Sequence, residues 1–388
     1  MIKKIEIKNY KSVENVAFDL GRFNLLIGEN GCGKSNVLEG IALAGAASAH
    51  KLDNEYFSNR GLRVTSPTFM RSAFGTDDDK IRIKVTDEKE TDVNYRIKFD
   101  VELLPPRWVD EVGEIRAKFF RAFLKVVHDK READSSSGID YASLEKILKE
   151  DLNVFVDEKG NQHQILPTNE LPELSSFIIY SLEESKLRLF DNSNSIYPFG
   201  RNGEGLFAYL KEISQDEKRW GIISEIKEYM DILDWYDDME VPQNQMSQDF
   251  SIKIKDRYID DSLNYFDQRS TNEGFLNLLF YLTLFISNDS PSFFAIDNIE
   301  SSFNPKMCRK VVSVLTSLAE KHGKQVIATT HNPAVLDGMC LGDSERLFVV
   351  RRDLDGHTRM NRIESSASAL PLSEAWMKGY IGGLPENF

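Results

Sequence analysis

The sequence predicts an α/β protein with a mixed central sheet, and three observations carry this prediction. The segment Gly28–Ser35 has the pattern G-x-x-x-x-G-K-S, follows the apolar run Phe23–Ile27 and precedes a helical stretch that runs to about residue 50. Two later apolar runs, Phe293–Asp297 and Gln325–His331, read as buried strands that end in polar side chains. Buried strands alternating with helices are typical of α/β sheets.

Composition bounds the class of protein. The chain has 388 residues, enough for one large domain with an insertion or for two domains. Its net charge of −14 argues against a surface that is basic throughout, as in general nucleic-acid binders, but not against a local basic groove. No apolar run approaches the roughly 18 residues of a membrane span, so no membrane association is expected. Three widely spaced cysteines without metal-ligand spacing indicate a cytoplasmic protein.

The N-terminal region is predicted to form antiparallel strands. Ile2–Ile7 alternates between apolar and polar residues, and Val16–Leu20 follows as a second short strand. Lys80–Val85 and Tyr95–Leu103 are separated by a charged turn, which predicts an antiparallel hairpin. Residues 1–104 are therefore assigned to a first lobe that contains the phosphate-loop pattern.

Residues 105–175 are interpreted as a mainly helical insertion that begins at Pro105-Pro106. Its expected elements are an amphipathic helix over Trp108–Arg131, a loop at Ala133–Gly138, a second helix over Ser143–Leu152, and a small hairpin of Val154–Val156 with Gln164–Leu166. Residues 176–388 are assigned to a second lobe.

The stretch Gly28–Ser35 predicts a phosphate site. Its glycines let the backbone turn its N–H groups inward, and the helix that follows adds its positive N-terminal end. Lys34 is expected to reach the outer phosphates, and Ser35 to hold a magnesium ion, which prefers oxygen ligands. A glycine-rich turn that matches by chance is the alternative, and the strand before and helix after argue against it.

Three later stretches complete the candidate site. Asp297 ends an apolar strand, where a carboxylate orients magnesium in phosphate-loop enzymes. His331 ends another, at the edge where α/β sheets bind ligands. Ser270–Gly274 carries hydroxyls and a glycine before an apolar helix, which forms a second anion site. This second site would be redundant against its own phosphate loop, so it is expected to close on the nucleotide of another subunit.

In their order along the chain and in their residue types, these motifs resemble those of the ABC-type ATPases, in the branch that contains the SMC, RecF and OLD proteins. Gly28–Ser35 matches Walker A, Phe293–Asp297 resembles Walker B, and His331 the switch histidine. Ser301–Pro305 resembles the D-loop, and Ser270–Gly274 a degenerate signature motif without the LSGGQ of transporter subunits. The resemblance covers residues 1–104 and 176–363.

This resemblance implies a specific set of site residues. ATP and Mg²⁺ are the expected cofactors, with Ser35 and Asp297 on the metal. Residues expected to contact nucleotide are Lys11, Ser12, Asn30, Gly31, Cys32, Gly33, Lys34, Ser35, Asn36, Ser270, Glu273 and Gly274. Lys11 and Ser12 belong to a short N-terminal motif similar to that of SMC and RecF relatives. The family also implies a head-to-tail homodimer, or a higher homo-oligomer, that sandwiches two nucleotides and acts as a switch.

One departure concerns hydrolysis. The family normally places an acidic general base after the Walker B aspartate, whereas this chain has Asn298, an amide that orients water but accepts no proton at neutral pH. Two interpretations stay open: Glu300 substitutes for the base, or hydrolysis is slow and the ATP-bound dimer persists. Asp297, Asn298, Glu300 and His331 are the expected catalytic residues.

The expected biological role is that of a stand-alone ATPase head in an anti-phage defence system, controlling a separately encoded effector such as a nuclease. Only 57 residues follow His331 in the printed sequence, so no complete nuclease domain is expected there. Two alternatives are a RecF-like repair ATPase that binds DNA or another nucleic acid, and a nucleotide-bound scaffold with little hydrolysis.

Overall fold

The computed structural model describes residues 1–72, 74, 79–111, 154–156, 162–164, 171–190, 196–241, 251–260, 265–364 and 370–383. The strands are β1 (Ile2–Tyr10), β2 (Val13–Asp19), β3 (Phe23–Ile27), β4 (Ile81–Asp87), β5 (Asp92–Asp100), β6 (Arg107–Asp110), β7 (Val154–Val156), β8 (Gln162–Gln164), β9 (Ile179–Tyr180), β10 (Tyr236–Glu240), β11 (Lys253–Asp256), β12 (Phe293–Ile296), β13 (Gln325–Thr330), β14 (Glu345–Arg352) and β15 (Thr358–Ile363).

The α-helices in these ranges are α1 (Lys34–Ser48), α2 (Asn54–Asn59), α3 (Pro67–Met70), α4 (Pro172–Ser175), α5 (Glu184–Leu187), α6 (Leu206–Ser214), α7 (Trp220–Met230), α8 (Glu273–Ile286), α9 (Pro305–Lys321) and α10 (Leu372–Met377). Two 3₁₀ segments cover Glu217–Arg219 and Pro333–Gly338.

The central sheet is mixed, as the sequence predicts. Its strand order is β15-β14-β3-β13-β12-β9, and all neighbours are parallel except β15, which runs antiparallel to β14. All five residues of β3 are buried, because helices and a second sheet cover the two faces of the central sheet. Alternation along β3 sends Phe23, Leu25 and Ile27 into one core cluster and Leu26 into the other.

A second sheet of five antiparallel strands, in the order β2-β1-β4-β5-β6, confirms the N-terminal prediction and the β4–β5 hairpin. The predicted start of the helix at Trp108 is wrong. Trp108 lies in β6, pairs with Phe99 of β5 and contacts its ring edge-on at a centroid distance of 5.4 Å. Pairing with β5 buries the Trp108 side chain. This tertiary contact favours a strand over the predicted helix at this position.

Helix α1 lies between the two sheets and is buried along nearly its whole length, from Val37 to Ser48. Helix and sheet approach closely at Gly40, where an added Cβ would come within 2.9 Å of Ile7. The opposite face of the central sheet is covered by α6, α7, α8 and α9, whose apolar residues form the larger core cluster. The first turn of α1 is thereby held rigidly at the edge of the central sheet.

Much of the predicted insertion lies outside the described residues, including the remainder of the Trp108–Arg131 helix from residue 112, the loop at Ala133–Gly138 and the helix over Ser143–Leu152. A small hairpin is found as the antiparallel pair β7–β8, whose second strand covers Gln162–Gln164; Ile165 and Leu166 of the predicted strand lie outside the described residues. Within the described part of the chain, no helix has the length and apolarity needed to cross a membrane.

Candidate nucleotide-binding site

The carboxyl ends of four parallel strands meet at one edge of the central sheet. Strand β14 ends at Arg352, β3 leads into the phosphate loop at residues 28–33, β13 leads into His331, and β12 leads into Asp297. Because these strands are neighbours in the order β14-β3-β13-β12, their ends lie side by side. Ligands of α/β sheets bind at this edge.

A cavity of about 310 Å³ lies at this edge. It is lined by Asn30, Gly31, Gly33, Lys34, Ser35, Asn36, Arg63, Asp297, Asn298, His331 and Arg352. Nine of these eleven residues were predicted from the sequence, and these nine come from three segments far apart along the chain. Arg63 and Arg352 were not predicted, and they add two cations to the cavity wall.

The phosphate loop needs glycine at two crowded positions. Gly28 has a φ of 149°, and a Cβ there would lie 2.0 Å from the carbonyl oxygen of Val350. Gly33 has a φ of 110°, and a Cβ would lie 2.1 Å from the Thr358 hydroxyl. Strands β14 and β15 therefore press against the loop, which only glycine accommodates at these points.

Lys34 is held inside the loop that it follows. Its Nζ donates hydrogen bonds to the carbonyl oxygens of Gly28 at 2.8 Å and Glu29 at 2.9 Å, and lies 3.8 Å from Cys32 Sγ. Burial lowers the pKa of Lys34, and the nearby Cys32 and Asp297 partly offset this effect. Backbone carbonyl oxygens thus hold the ammonium at the cavity wall.

Asp297 and Asn298 are oriented by one hydroxyl group of the neighbouring strand. Thr329 Oγ1 donates to Asp297 Oδ1 at 2.5 Å and accepts the backbone N–H of Asn298 at 2.9 Å. Asn298 has a φ of 57°, in the left-handed region that asparagine tolerates better than most residues. The residue at the position of the family's usual base is therefore suited to this backbone conformation.

Glu300 and His331 form a contact that the sequence did not reveal. Glu300 Oε1 accepts the backbone N–H of His331 at 2.8 Å, and its Oε2 is buried with no partner among the described residues. Glu300 is not among the residues that line the 310 Å³ cavity, whereas His331 is. Burial, followed by the charge of Lys34, lowers the pKa of His331, so its imidazole is neutral at pH 7.

A second cavity of about 410 Å³ adjoins the first and shares Asn36, Arg63 and Arg352 with it. The other residues that line it are Lys11, Ser12, Thr65, Thr68, Phe69, Arg71 and Phe74. The predicted residues Lys11 and Ser12 are therefore brought next to the phosphate loop. Aromatic rings beside guanidinium groups suit a flat, polar ring system with attached phosphates.

The buried carboxylate of Glu39 in α1 contacts two of the cationic residues that line the second cavity. Its side chain is only 2% exposed and pairs with Lys11 and with Arg63, the latter at 2.5 Å from Nε to Oε1. Tyr10 donates to the same carboxylate at 3.1 Å. Three donors compensate the burial of this charge, and the arrangement holds Lys11 and Arg63 at the cavity.

Ser12 and Asn36 connect this network to the loop. Asn36 donates to Ser12 Oγ at 2.6 Å, and Arg63 donates to Asn36 Oδ1 at 3.0 Å. Ser12 Oγ also lies 2.7 Å from the hydroxyl of Thr358, which donates to the carbonyl oxygen of Cys32 at 3.0 Å. Cys32 is a loop residue with a buried side chain; it does not line the 310 Å³ cavity and contributes to this network through its carbonyl oxygen.

The predicted signature stretch lies away from the cavity. None of residues 270–274 lines the 310 Å³ cavity; Ser270, Thr271 and Asn272 line a separate cavity of about 290 Å³. Asn272 caps α8 by accepting the N–H of Phe275 at 2.9 Å, which places Glu273 and Gly274 in the first turn. The predicted helix is confirmed and begins at Glu273, and its first turn does not line the 310 Å³ cavity.

Arg188 of α5 forms hydrogen bonds with the backbone of the signature stretch and of the two residues before it. Its guanidinium donates to the carbonyl oxygens of Gln268 at 2.8 Å, Arg269 at 2.9 Å and Thr271 at 2.9 Å. The stretch is also tied to the D-loop, because Asn277 of α8 donates to the carbonyl oxygen of Ser301 at 3.1 Å. This hydrogen bond connects α8 to the segment that follows Asp297.

Ser35 and Asp297 fit a magnesium ion in the kind of donor they offer. Both line the same cavity, and hydroxyl and carboxylate oxygens are the ligands that Mg²⁺ prefers. Two protein oxygens leave most of an octahedral shell to water and phosphate, as is usual for this ion. The one three-residue cluster of potential ligands found among described residues, Asp353, Asp355 and His357, has Asp353 ion-paired with Arg359 at 2.7 Å.

Among the residues that line or support the candidate site, sequence reasoning did not single out Arg63, Arg352, Glu39 or Thr329. Two of them left a local signal. Glu39 is the one charged residue within residues 37–47, and Thr329 carries a hydroxyl near the end of an apolar strand. Arg63 and Arg352 stand in ordinary polar surroundings, and only the tertiary structure brings them to the cavity.

Comparison with known proteins agrees with this geometry. The chain is similar to the OLD nuclease of Thermus scotoductus, with 22% identity over 395 residues that cover 95% of this chain and 66% of the relative. It is also similar to an ATP/GTP phosphatase of Helicobacter pylori, with 32% identity over 104 residues that cover 26% of this chain and 28% of the relative. The chain thus spans less than two thirds of the length of either relative.

Among solved structures, an SMC head bound to the C-terminal winged-helix domain of ScpA aligns with a TM-score of 0.55 and 14% identity, over 94% of this chain and 98% of that one. This likeness shows the ABC-ATPase head fold. Residues 23–337 match the family model described as "AAA domain, putative AbiEii toxin, Type IV TA system", which spans the phosphate loop, Asp297 and His331. The chain belongs to this AAA-domain family.

Proposed function

We propose that this protein binds ATP with Mg²⁺ at the edge of the central sheet and works as a nucleotide-gated dimeric switch. The observation that carries the proposal is the single cavity lined by Lys34, Ser35, Asp297 and His331. Separate segments supply a cation for the outer phosphates, two oxygen ligands for the metal and a neutral imidazole. Such a set of groups serves phosphoryl transfer.

The two adjoining cavities suggest how the nucleotide lies. Its triphosphate would occupy the 310 Å³ cavity, and its nucleoside the 410 Å³ cavity beside Phe69 and Phe74. Arg63, Asn36 and Arg352 border both and would contact the phosphates between them. Bound Mg²⁺ would neutralise phosphate charge, with Ser35 and Asp297 as its protein ligands.

Slow hydrolysis is the mechanism that we infer from the chemistry of the side chains. Asn298 donates and accepts hydrogen bonds but takes no proton. Glu300 uses one carboxylate oxygen on the backbone of His331, and we assign it the role of positioning that residue. Neutral His331 would then orient the attacking water or bind the terminal phosphate. An ATP-bound state of long lifetime follows, because no strong base activates the water.

A dimer completes the proposed switch. The stretch Ser270–Gly274 lies away from the cavity of its own chain, and its helix start remains available to an anion on another subunit. Two chains arranged head to tail would each supply this stretch to the nucleotide of the other. The terminal phosphate would hold the interface, and hydrolysis would release it.

For the biological role, we propose a cytoplasmic regulator that controls a separately encoded effector in anti-phage defence. The family description names a putative AbiEii toxin and a type IV toxin–antitoxin system, and one relative is named a nuclease. Co-purification with the product of a neighbouring gene, dependent on ATP and lost in Lys34→Ala, would support this role. A DNA-repair ATPase or a scaffold without turnover remains the alternative outcome of the same experiment.

The experiment that tests the switch compares Lys34→Ala and Ser270→Arg with wild type and with Lys253→Ala, a surface control. We expect Lys34→Ala to weaken ATP binding at least tenfold, or by about 1.4 kcal/mol. Ser270 is exposed, so Ser270→Arg should bind ATP normally but remain monomeric in ATP by light scattering. Unchanged ATP affinity in Lys34→Ala would refute the assigned site, and an ATP-dependent dimer in Ser270→Arg would refute the assigned interface.

A further inference from the structure

Helix α10 and the glycine-rich stretch after it, together called the α10 segment (residues 372–383), contact two parts of the candidate nucleotide site. The first contact is with the 3₁₀ segment Pro333–Gly338, which begins two residues after His331. Asp337 of this 3₁₀ segment accepts the backbone N–H of Ser373 at 3.1 Å and the Ser373 hydroxyl at 2.7 Å. The start of the α10 segment is therefore fixed to the part of the chain that carries His331.

The other end of the α10 segment lies against the phosphate loop. A Cβ added at Gly383 would lie 2.7 Å from Val349 Cγ1 and 3.7 Å from the Cα of Gly28. Val349 of β14 is the register partner of Ile27, the residue directly before Gly28. Gly383 therefore occupies a position beside the start of the phosphate loop where a side chain would have to displace its neighbours.

Buried apolar side chains join these two contacts. Trp376 is 4% exposed and belongs to the same core cluster as Val349 and as Leu336 of the 3₁₀ segment. Its Nε1 would lie 3.6 Å from a Cβ at Gly383. Because protein interiors are close-packed and transmit strain, a shift of the phosphate loop at Gly28 would reach the 3₁₀ segment through the α10 segment.

The α10 segment also has a physical reason to change its arrangement. Trp376 Nε1 is buried and has no acceptor among the described residues. Because an unpaired buried donor is unfavourable, an arrangement that supplies an acceptor would be more stable at this atom. The backbone after the helix contains three glycines with positive φ, Gly379 at 77°, Gly382 at 76° and Gly383 at 80°, and glycine is the residue with the least steric restriction on such conformations. A second arrangement of this segment is therefore accessible.

We propose that the α10 segment positions the phosphate loop for ATP and changes its own arrangement when ATP binds. Gly383 and Asp337 are positioning residues, because they act through Gly28 and Ser373 and line neither of the two adjoining cavities. This role rests on the proposed ATP site and adds a route by which bound ATP alters an exposed surface, since Tyr380 of the same segment is 65% exposed.

The first experiment compares Gly383→Ala with Gly382→Ala in equilibrium titrations with ATP. Gly382 is a matched control, because its φ of 76° is close to the 80° of Gly383 but an added Cβ would meet no described atom within 4 Å. Both substitutions carry similar backbone strain, and only Gly383→Ala forces Val349 or the phosphate loop to shift. We expect ATP affinity to fall about tenfold in Gly383→Ala and to stay within about twofold of wild type in Gly382→Ala. Equal ATP affinities of the two variants would overturn the positioning role.

Thermal unfolding shows whether each variant is folded. Should Gly383→Ala fail to fold, Asp337→Ala tests the same role from the other end, because it removes both hydrogen bonds to Ser373. Asp337→Ala should also weaken ATP binding, and ATP affinity equal to wild type in this variant would contradict the proposal.

The second experiment measures amide hydrogen exchange of the full chain by mass spectrometry, with and without ATP. In wild type, ATP should slow exchange in residues 372–383 by at least about threefold, and Lys34→Ala should abolish this effect. A wild-type chain that does not bind ATP would refute the proposed function itself. A wild-type chain that binds ATP with unchanged exchange in residues 372–383 would refute only the coupling of this segment to the phosphate loop.

Discussion

Substitutions of Glu300 distinguish hydrolysis with Glu300 as the general base from slow hydrolysis without a base. Its Oε1 accepts the backbone N–H of His331 at 2.8 Å, and its Oε2 is buried without a partner among the described residues. Glu300→Gln keeps an oxygen that can accept the His331 N–H but removes the negative charge. Glu300→Ala removes both the charge and the acceptor. The two substitutions therefore separate a general base from a residue that positions His331.

The expected magnitudes follow from that contact. A hydrogen bond to a charged group is worth about 1.5–3 kcal/mol, so its complete loss in Glu300→Ala corresponds to about 10- to 150-fold in turnover if it acts in the transition state. A neutral acceptor is roughly half as strong, so Glu300→Gln should cost about 0.75–1.5 kcal/mol, or about 4- to 13-fold. Loss of a general base would instead cost about 100- to 10,000-fold in both variants.

Phosphate release at saturating ATP is the appropriate assay, with ATP affinity measured for each variant. We expect turnover to decrease slightly in Glu300→Gln and strongly in Glu300→Ala, with ATP affinity close to wild type in both. The reasoning would be refuted by a loss of about 100-fold or more in Glu300→Gln at unchanged ATP affinity, because Glu300 would then be the base.

Two further predictions concern the residues beside the proposed terminal phosphate. Asn298→Glu should raise turnover by about 100-fold, because it supplies a base. It should also lower the free energy of unfolding by about 1 kcal/mol, because the φ of 57° disfavours glutamate. An unchanged phosphate-release rate would count against Asn298 as the group that limits hydrolysis. The lowered pKa of His331 means that the unfolded chain binds its proton more readily. Relative to His331→Gln, wild type should therefore lose stability as pH falls through about 6.5. Urea unfolding of both proteins at pH 5.5 and 7.5 measures this difference in stability. An equal difference at the two pH values would contradict the prediction.

Several elements were predictable from the sequence because their signals are local. Strand β3 was predicted with its observed bounds, Phe23–Ile27, because it is apolar and ends at a glycine-rich loop. The helix that follows begins where Lys34 and Ser35 leave that loop. Trp108 was wrongly placed in a helix, because four residues of strand cannot be told from one helical turn by periodicity. Its pairing with β5 is a tertiary fact.

The sequence by itself determined which chemical groups are available: a glycine-rich phosphate loop, carboxylates and a histidine at strand ends, and an asparagine directly after Asp297. Only the tertiary structure decided which of these groups lie in the same cavity or contact one another. Arg63 and Arg352 reach the same cavity although 289 positions separate them. Thr329 selects the orientation of Asp297, and Glu300 contacts the backbone of His331. The physical reason is that parallel strands bring their carboxyl ends to one edge of a sheet, and strand order, which no local pattern encodes, determines which ends are neighbours.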